Sequence, residues 1–204
     1  MFGPVKRIAT LAIVAATAMA AVALVSHQPA TAQTAPEGWY KAGSKPEAYA
    51  VGLDQSVRRG NGSSAYLKSV TAIQDDKSFG TLMQTFSARE YRGKRVRMSA
   101  FVKSKDVKDW AGLWMRVDGP EQAVLSFDNM QERPIKGTSD WKKYEIVLDV
   151  PQESEAIAFG LLLSKTGETW VDDFKFELAG NVPPTKPANA TSYRRQPVNL
   201  NFER

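Results

Sequence analysis

The 204-residue sequence contains no cysteine and a single histidine, His27. That histidine falls in an amino-terminal stretch laid out like a cleaved transport signal, so residues 33–204 carry neither imidazole nor thiol. Their absence excludes a Ser-His-Asp relay, a Cys-His nucleophile, His- or Cys-ligated zinc and an imidazole acid or base near neutral pH. Disulfide staples are excluded as well, so an exported domain must hold by its core alone or with a bound ion. No stretch of useful length keeps a helical period, and no phosphate loop, dinucleotide fingerprint or nucleophile elbow is present. A glycosidase needs only two carboxylates. Asp118, Glu121, Asp128 and Asp140 are available, but no pair of them stands in a recognisable catalytic context. A protein that is not an enzyme is expected.

At the amino terminus, Lys6 and Arg7 precede an uncharged apolar run over residues 8–25, and Ala30-Thr31-Ala32 forms a small-x-small site ahead of Gln33. This pattern predicts a signal peptide over residues 1–32 and a secreted or periplasmic product. The competing reading is an uncleaved anchor, because the run approaches the ~20 residues of a spanning helix. Its alanine content and the placement of the cleavage site favour removal, after which nothing would span the membrane. Without cysteine there is no lipoprotein attachment site. Removing Lys6 and Arg7 lowers the net charge from +5 to +3. The excess gathers at Arg58-Arg59, residues 91–97 and Arg194-Arg195, as solvated strand ends and turns do. A nucleic-acid partner would need a basic face with stacking aromatics and a motif, and none is expected. A monomer is expected.

What the mature chain does have is two-residue periodicity. Val96, Met98, Ala100 and Val102 alternate with Arg97, Ser99, Phe101 and Lys103; Ala111, Leu113, Met115 and Val117 alternate with Gly112, Trp114, Arg116 and Asp118. Tyr144, Ile146 and Leu148 repeat the pattern, as do Ile157, Phe159, Leu161 and Leu163. Trp170, Asp172, Phe174 and Phe176 close it, against Val171, Asp173, Lys175 and Glu177. Gly, Pro, Asp and Asn punctuate the gaps, as at Asp118-Gly119-Pro120. One apolar and one mixed face, strand after strand, predicts an all-β, antiparallel β-sandwich as a single domain over residues 33–179.

Four blocks carry a family likeness. They are residues 62–67, residues 91–103, residues 137–144 running on to Val150-Pro151, and Trp170-Val171-Asp172-Asp173-Phe174-Lys175-Phe176. Together they resemble the jelly-roll carbohydrate-binding modules of the family 4/9, galactose-binding-like kind, over residues 38–178. The resemblance implies a jelly roll and an exported binding module whose partner is a glycan or another cell-envelope component. Such jelly rolls also serve as structural or sensory envelope domains that contact protein and bind no sugar.

The family's opening strand, with a glutamate that helps hold a structural calcium, is missing before Gly38-Trp39. A similar string, Asn199-Leu200-Asn201-Phe202-Glu203, stands at the carboxyl terminus after a Pro-rich linker over residues 180–198. Residues 199–204 either dock as the missing strand or form a frayed end. Asp172 shares the alternation of Trp170, Phe174 and Phe176, and a carboxylate facing a core is costly unless paired or metal-bound. The resemblance therefore implies calcium at Asp172 and Glu203; a hydrogen-bonded buried aspartate is the other reading.

The mixed face of the Trp110–Asp118 segment is the candidate ligand surface. Gly112 beside Trp114 would leave an indole open for a sugar to stack on, with Arg116 and Asp118 bonding hydroxyls. Asp128, Asn129 and Gln131 would stand at the rim, Arg97 and Phe101 would join from the preceding strand, and Ala158 and Gly160 would floor the groove. In the competing reading Trp114 packs under a loop and Arg116 pairs with Asp118 or Asp128. Trp141 is expected in the core.

Overall fold

The computed structural model describes residues 34–71, 73 and 77–186. The expected signal peptide and the strand expected at residues 199–204 lie outside them. Nine strands follow one another: β1 (Tyr40–Gly43), β2 (Tyr49–Asp54), β3 (Ser64–Ser69), β4 (Phe79–Ser87), β5 (Lys94–Asp118), β6 (Val124–Asp128), β7 (Ile135–Val150), β8 (Ala156–Ser164) and β9 (Glu168–Leu178). Short 3-10 turns are the sole helical pieces among the described residues, and every strand pairing is antiparallel.

Hydrogen bonding runs through the order β1-β4-β8-β5-β9-β3-β2, with β6 and β7 both on β5. The segments read as two strands, over residues 96–103 and 111–118, are one strand of 25 residues. Its register breaks three times between Val102 and Ala111, and Asp106 takes φ 52°. The half before these breaks pairs with β7 and β9; the half after them pairs with β8 and β6. One layer is therefore β2-β3-β9-β5-β7 and the other β1-β4-β8-β5-β6, with β5 crossing from the first to the second. The breaks shift its phase, so Val96, Met98, Ala100 and Val102 face the same core as Ala111, Leu113, Met115 and Val117, all at most 1% exposed. This is the jelly roll that the alternation and the family likeness led us to expect.

An aromatic cluster ties the layers together. Phe159 of β8 lies 5.3 and 4.8 Å, centroid to centroid, from Phe174 and Phe176 of β9. Trp39 and Phe86 close on Phe159 at 5.2 and 5.7 Å. Edge-to-face rings at these separations contribute about 0.5–1.5 kcal/mol per pair beyond their area burial.

Three sequence expectations are corrected here. The alternation of β9 is interrupted: the register shifts between Ser99 and Phe101 of its partner, and Asp173 sits at φ 56°. This bulge moves the strand by one residue, which exchanges faces. Val171 points into the core at 3% exposure, whereas Trp170 donates its indole N–H to Asp54 at 2.9 Å on the outer face. Asp172, paired with Phe101, shares that outer face instead of the core. Trp141 is half-buried and stands apart from the core cluster. Finally, the first residues of the expected linker are anchored. Thr185 donates its N–H to Val147 O at 2.8 Å and its hydroxyl to Asp128 at 2.6 Å.

Candidate functional site

The outer face of the β1-β4-β8-β5-β6 layer carries a groove of about 280 Å³. Register explains its shape. Across the strands run Tyr40, Met83, Gly160 and Trp114 in one row, and Ala42, Thr81, Leu162 and Gly112 in the next. A third row holds Thr85, Ala158, Arg116 and Phe127. Gly160, between Met83 and Trp114, opens the depression, and Phe79, Met83, Leu162 and Phe127 stand around it. At Gly160 a Cβ would stand 2.2 Å from Leu82 O, so glycine alone lets β4 and β8 close up there.

Trp114 reaches across Gly160 to β4 and donates its indole N–H to the Thr81 hydroxyl at 2.8 Å. That hydroxyl donates onward to Leu161 O at 2.8 Å. The indole is only 6% exposed, so Trp114 is a buried floor and not the open stacking platform that the sequence suggested. The reasoning from Gly112 also fails. A Cβ there would meet Asn129 O and the Met130 Cβ at 3.0 Å, because the turn after β6 covers it. Phe79, Met83, Leu162 and Phe127 line the groove with Trp114, and Phe127 is 37% exposed.

At one end Arg116 donates from Nε and Nη2 to the two oxygens of Asp118, at 2.8 and 3.0 Å. The pair neutralises itself, the Arg116 side chain stays 43% exposed, and Nη1 has no hydrogen-bond partner among the described residues. On the β1 side Tyr40, 45% exposed, shares a 3.0 Å hydrogen bond with the Thr85 hydroxyl.

The remaining expected residues fall elsewhere. Asp128 pairs with Met115, a core position, and is fully buried. Burial alone would raise its pKa, but bonds from Arg133, the Thr185 hydroxyl and the Met130 N–H hold the carboxyl below the ordinary range. It organises the β6–β7 turn and touches no groove. In that turn Asn129 accepts the N–H of exposed Gln131 at 3.1 Å, away from the groove lining. Arg97 and Phe101 belong to the first half of β5, so they face out of the opposite layer. There Arg97 pairs with Glu145 at 3.3 Å, and the Arg59 guanidinium lies 3.5 Å above the Phe101 ring. Asp172 accepts its neighbour's N–H at 2.8 Å on that outer face, so the argument for a metal from a core-facing carboxylate falls. No group of three or more metal-ligating carboxylates is found among the described residues, and Glu203 lies beyond them.

The sequence reading passed over Phe79, Thr81 and Met83, which supply the groove's second wall. Their signal was present, since they alternate with Gly80, Leu82 and Gln84 in the pattern used for other strands.

No family model matches the chain. A curated relative, the uncharacterized HTH-type transcriptional regulator YbfP of Bacillus subtilis strain 168, is 47% identical over 169 residues, or 82% of this chain. The chain spans 57% of that relative's length. Among solved structures, the CBM22-1 xylan-binding domain of Paenibacillus barcinonensis Xyn10C superposes with a TM-score of 0.51 at 14% identity, covering 72% of this chain and 89% of that domain. The C-terminal family 22 carbohydrate-binding module of Clostridium thermocellum Xyn10B gives 0.53 at 12% identity, covering 72% and 90%. The enzymatically active domain of tailspike protein 4 from bacteriophage CBA120 gives 0.54 at 13% identity, covering 70% of this chain and 19% of that one. At these identities the likeness is one of fold: the chain has the jelly-roll fold of carbohydrate-binding modules.

Proposed function

We propose that this chain is a non-catalytic binding module that holds a carbohydrate in the groove between Phe79 and Phe127. The observation that carries the reading is the division of the lining. Aromatic and aliphatic walls meet the C–H faces of a sugar ring, while Arg116 Nη1 stands where a ring hydroxyl would need a partner. The volume lies just under the ~300–1,000 Å³ of ordinary small-molecule sites, which suits the end of a glycan chain. Catalysis finds no support. Asp118, the carboxylate at the groove's end, is held bidentately by Arg116, and among the described residues no second carboxylate lines the groove to complete a glycosidase pair.

The curated relative favours a sensory use of such binding. An alignment of 169 residues takes in most of the β-domain, and the described residues contain no α-helix that could form a helix-turn-helix. The shared part of a regulator of that kind is then the part that recognises a signal. In this chain the same recognition would serve outside the cytoplasm, behind the export signal expected over residues 1–32.

A glycan array probed with residues 33–204 tests the reading. Retention of defined glycans, lost in Arg116→Ala and Phe127→Ala while the melting temperature stays within a few degrees, supports it. An array that retains no glycan, or retention indifferent to both substitutions, overturns it.

A further inference from the structure

The groove's lining specifies more than a sugar. A ring whose C–H faces meet the walls still turns one edge to the floor, and a hydroxyl on that edge would press against Trp114, Met83 and Leu162, whose side chains offer no free partner. The Trp114 indole N–H is committed to Thr81, and the Thr81 proton to Leu161 O. A hydroxyl desolvated without a partner costs about 1–3 kcal/mol. A methyl in the same place gains from leaving water. Charge points the same way. The charged groups at the groove cancel as the Arg116–Asp118 pair, so a carboxylate or phosphate finds no net positive site, whereas the unused Arg116 Nη1 asks for a neutral acceptor.

Resting on the carbohydrate reading above, we propose that the groove selects a neutral sugar bearing a methyl group, carried as a 6-deoxy carbon or an acetyl. The methyl seats against Leu162 and Met83, and the remaining hydroxyls meet Arg116 and solvent at the rim. Arg116 lies at the groove's edge and the apolar side chains in its middle, so the substituent that reaches deepest is the one that must do without a polar partner.

Matched pairs test the selection. L-fucose is titrated against L-galactose, L-rhamnose against L-mannose, and N-acetylglucosamine against glucose, with ligand-observed saturation-transfer NMR and backbone shift mapping. In at least one pair the methyl-bearing member should bind about tenfold tighter, with its methyl protons most saturated and shifts centred on Leu162 and Met83. The pair that responds distinguishes a deoxy carbon from an acetyl. Leu162→Asn should reduce the preference to about twofold; if that variant does not fold, Met83→Gln serves in its place. Equal binding within every pair, no binding by any of the six, or shifts on another face overturns the proposal. The glycan array separates this failure from failure of the carbohydrate reading, since the array can retain hydroxyl-rich glycans while every pair binds equally.

Discussion

At the residue scale, burial assigns Trp114 and Phe127 opposite duties on one face. Trp114 is closed over and hydrogen-bonded, so Trp114→Ala should cost about 3–5 kcal/mol in chemical denaturation, as loss of other core aromatics does. Phe127 is half-open, and Phe127→Ala should leave stability within about 1 kcal/mol while weakening glycan binding. The reverse pattern in the two denaturation curves would show that the groove is misassigned. Asp128 is the third telling residue. Its carboxylate is fully buried and binds Arg133, Thr185 and the Met130 N–H. Asp128→Asn leaves the Arg133 charge without its counter-ion and should cost about 3–5 kcal/mol, with no direct effect on ligand affinity in variants kept folded.

At the element scale, the bulge in β9 is the feature on which the core depends. It lets Val171 and the pair Phe174 and Phe176 all point inward, although their spacing is odd. Deleting Asp172 and Asp173 together would leave an unbulged strand in which Val171 faces inward and both phenylalanines face out of the cluster around Phe159. We expect that variant to lose its cooperative thermal transition; a transition within a few degrees of the parent's would mean that the strand slips without cost. The strap after β9 is a smaller test. Ending the chain at Asn181 removes the Thr185 contacts to Val147 and Asp128 and should lower stability by about 1–3 kcal/mol, by unsatisfying a buried carboxylate and opening the β7 edge.

These elements also show what a sequence can and cannot disclose. Alternation in Val96–Val102, Ala111–Val117 and Ile157–Leu163 was enough to give the strands, their inner faces and an antiparallel sandwich, and the family likeness made it a jelly roll. A bulge leaves no such trace, because Asp172-Asp173 reads as two ordinary alternating positions until the backbone φ is known. Nor does alternation tell whether residues 103–110 turn or run on. Taken as a turn, they put Arg97 and Phe101 beside Trp114; as continuous strand, they put them on the far side of the molecule. The groove escaped for a related reason, since its walls come from β1, β4, β8, β5 and β6, and only register shows which residues of distant strands share a row.

At the scale of the whole molecule, the missing imidazole fixes the pH profile. Asp54 is partly desolvated, which would raise its pKa, but bonds from Ser56, Val57 and Trp170 bring it down to about 2, and Asp128 is lowered as well. A depressed folded-state pKa contributes stability above the unfolded value, lost as the group protonates on acidification. The melting temperature should therefore fall between about pH 4 and pH 2. Burial holds the Tyr49 phenol up at about 12, so its contribution is present below pH 10 and lost between about pH 10 and 12. Between pH 5 and 9 the midpoint should stay level. A pronounced slope inside that window, measured by differential scanning calorimetry, would refute this account.

The 25-residue β5 has a consequence in time as well as in space. All four of its partners, β6, β7, β8 and β9, are synthesised after it, and β3 and β4 likewise wait for β9 and β8. A nascent chain can close the β2–β3 and β1–β4 pairs and then β5–β6 and β5–β7, but the β8 and β9 pairings that join the strands before β5 to the rest wait until nearly its last described residue has emerged. Such late, long-range closure makes for slow folding.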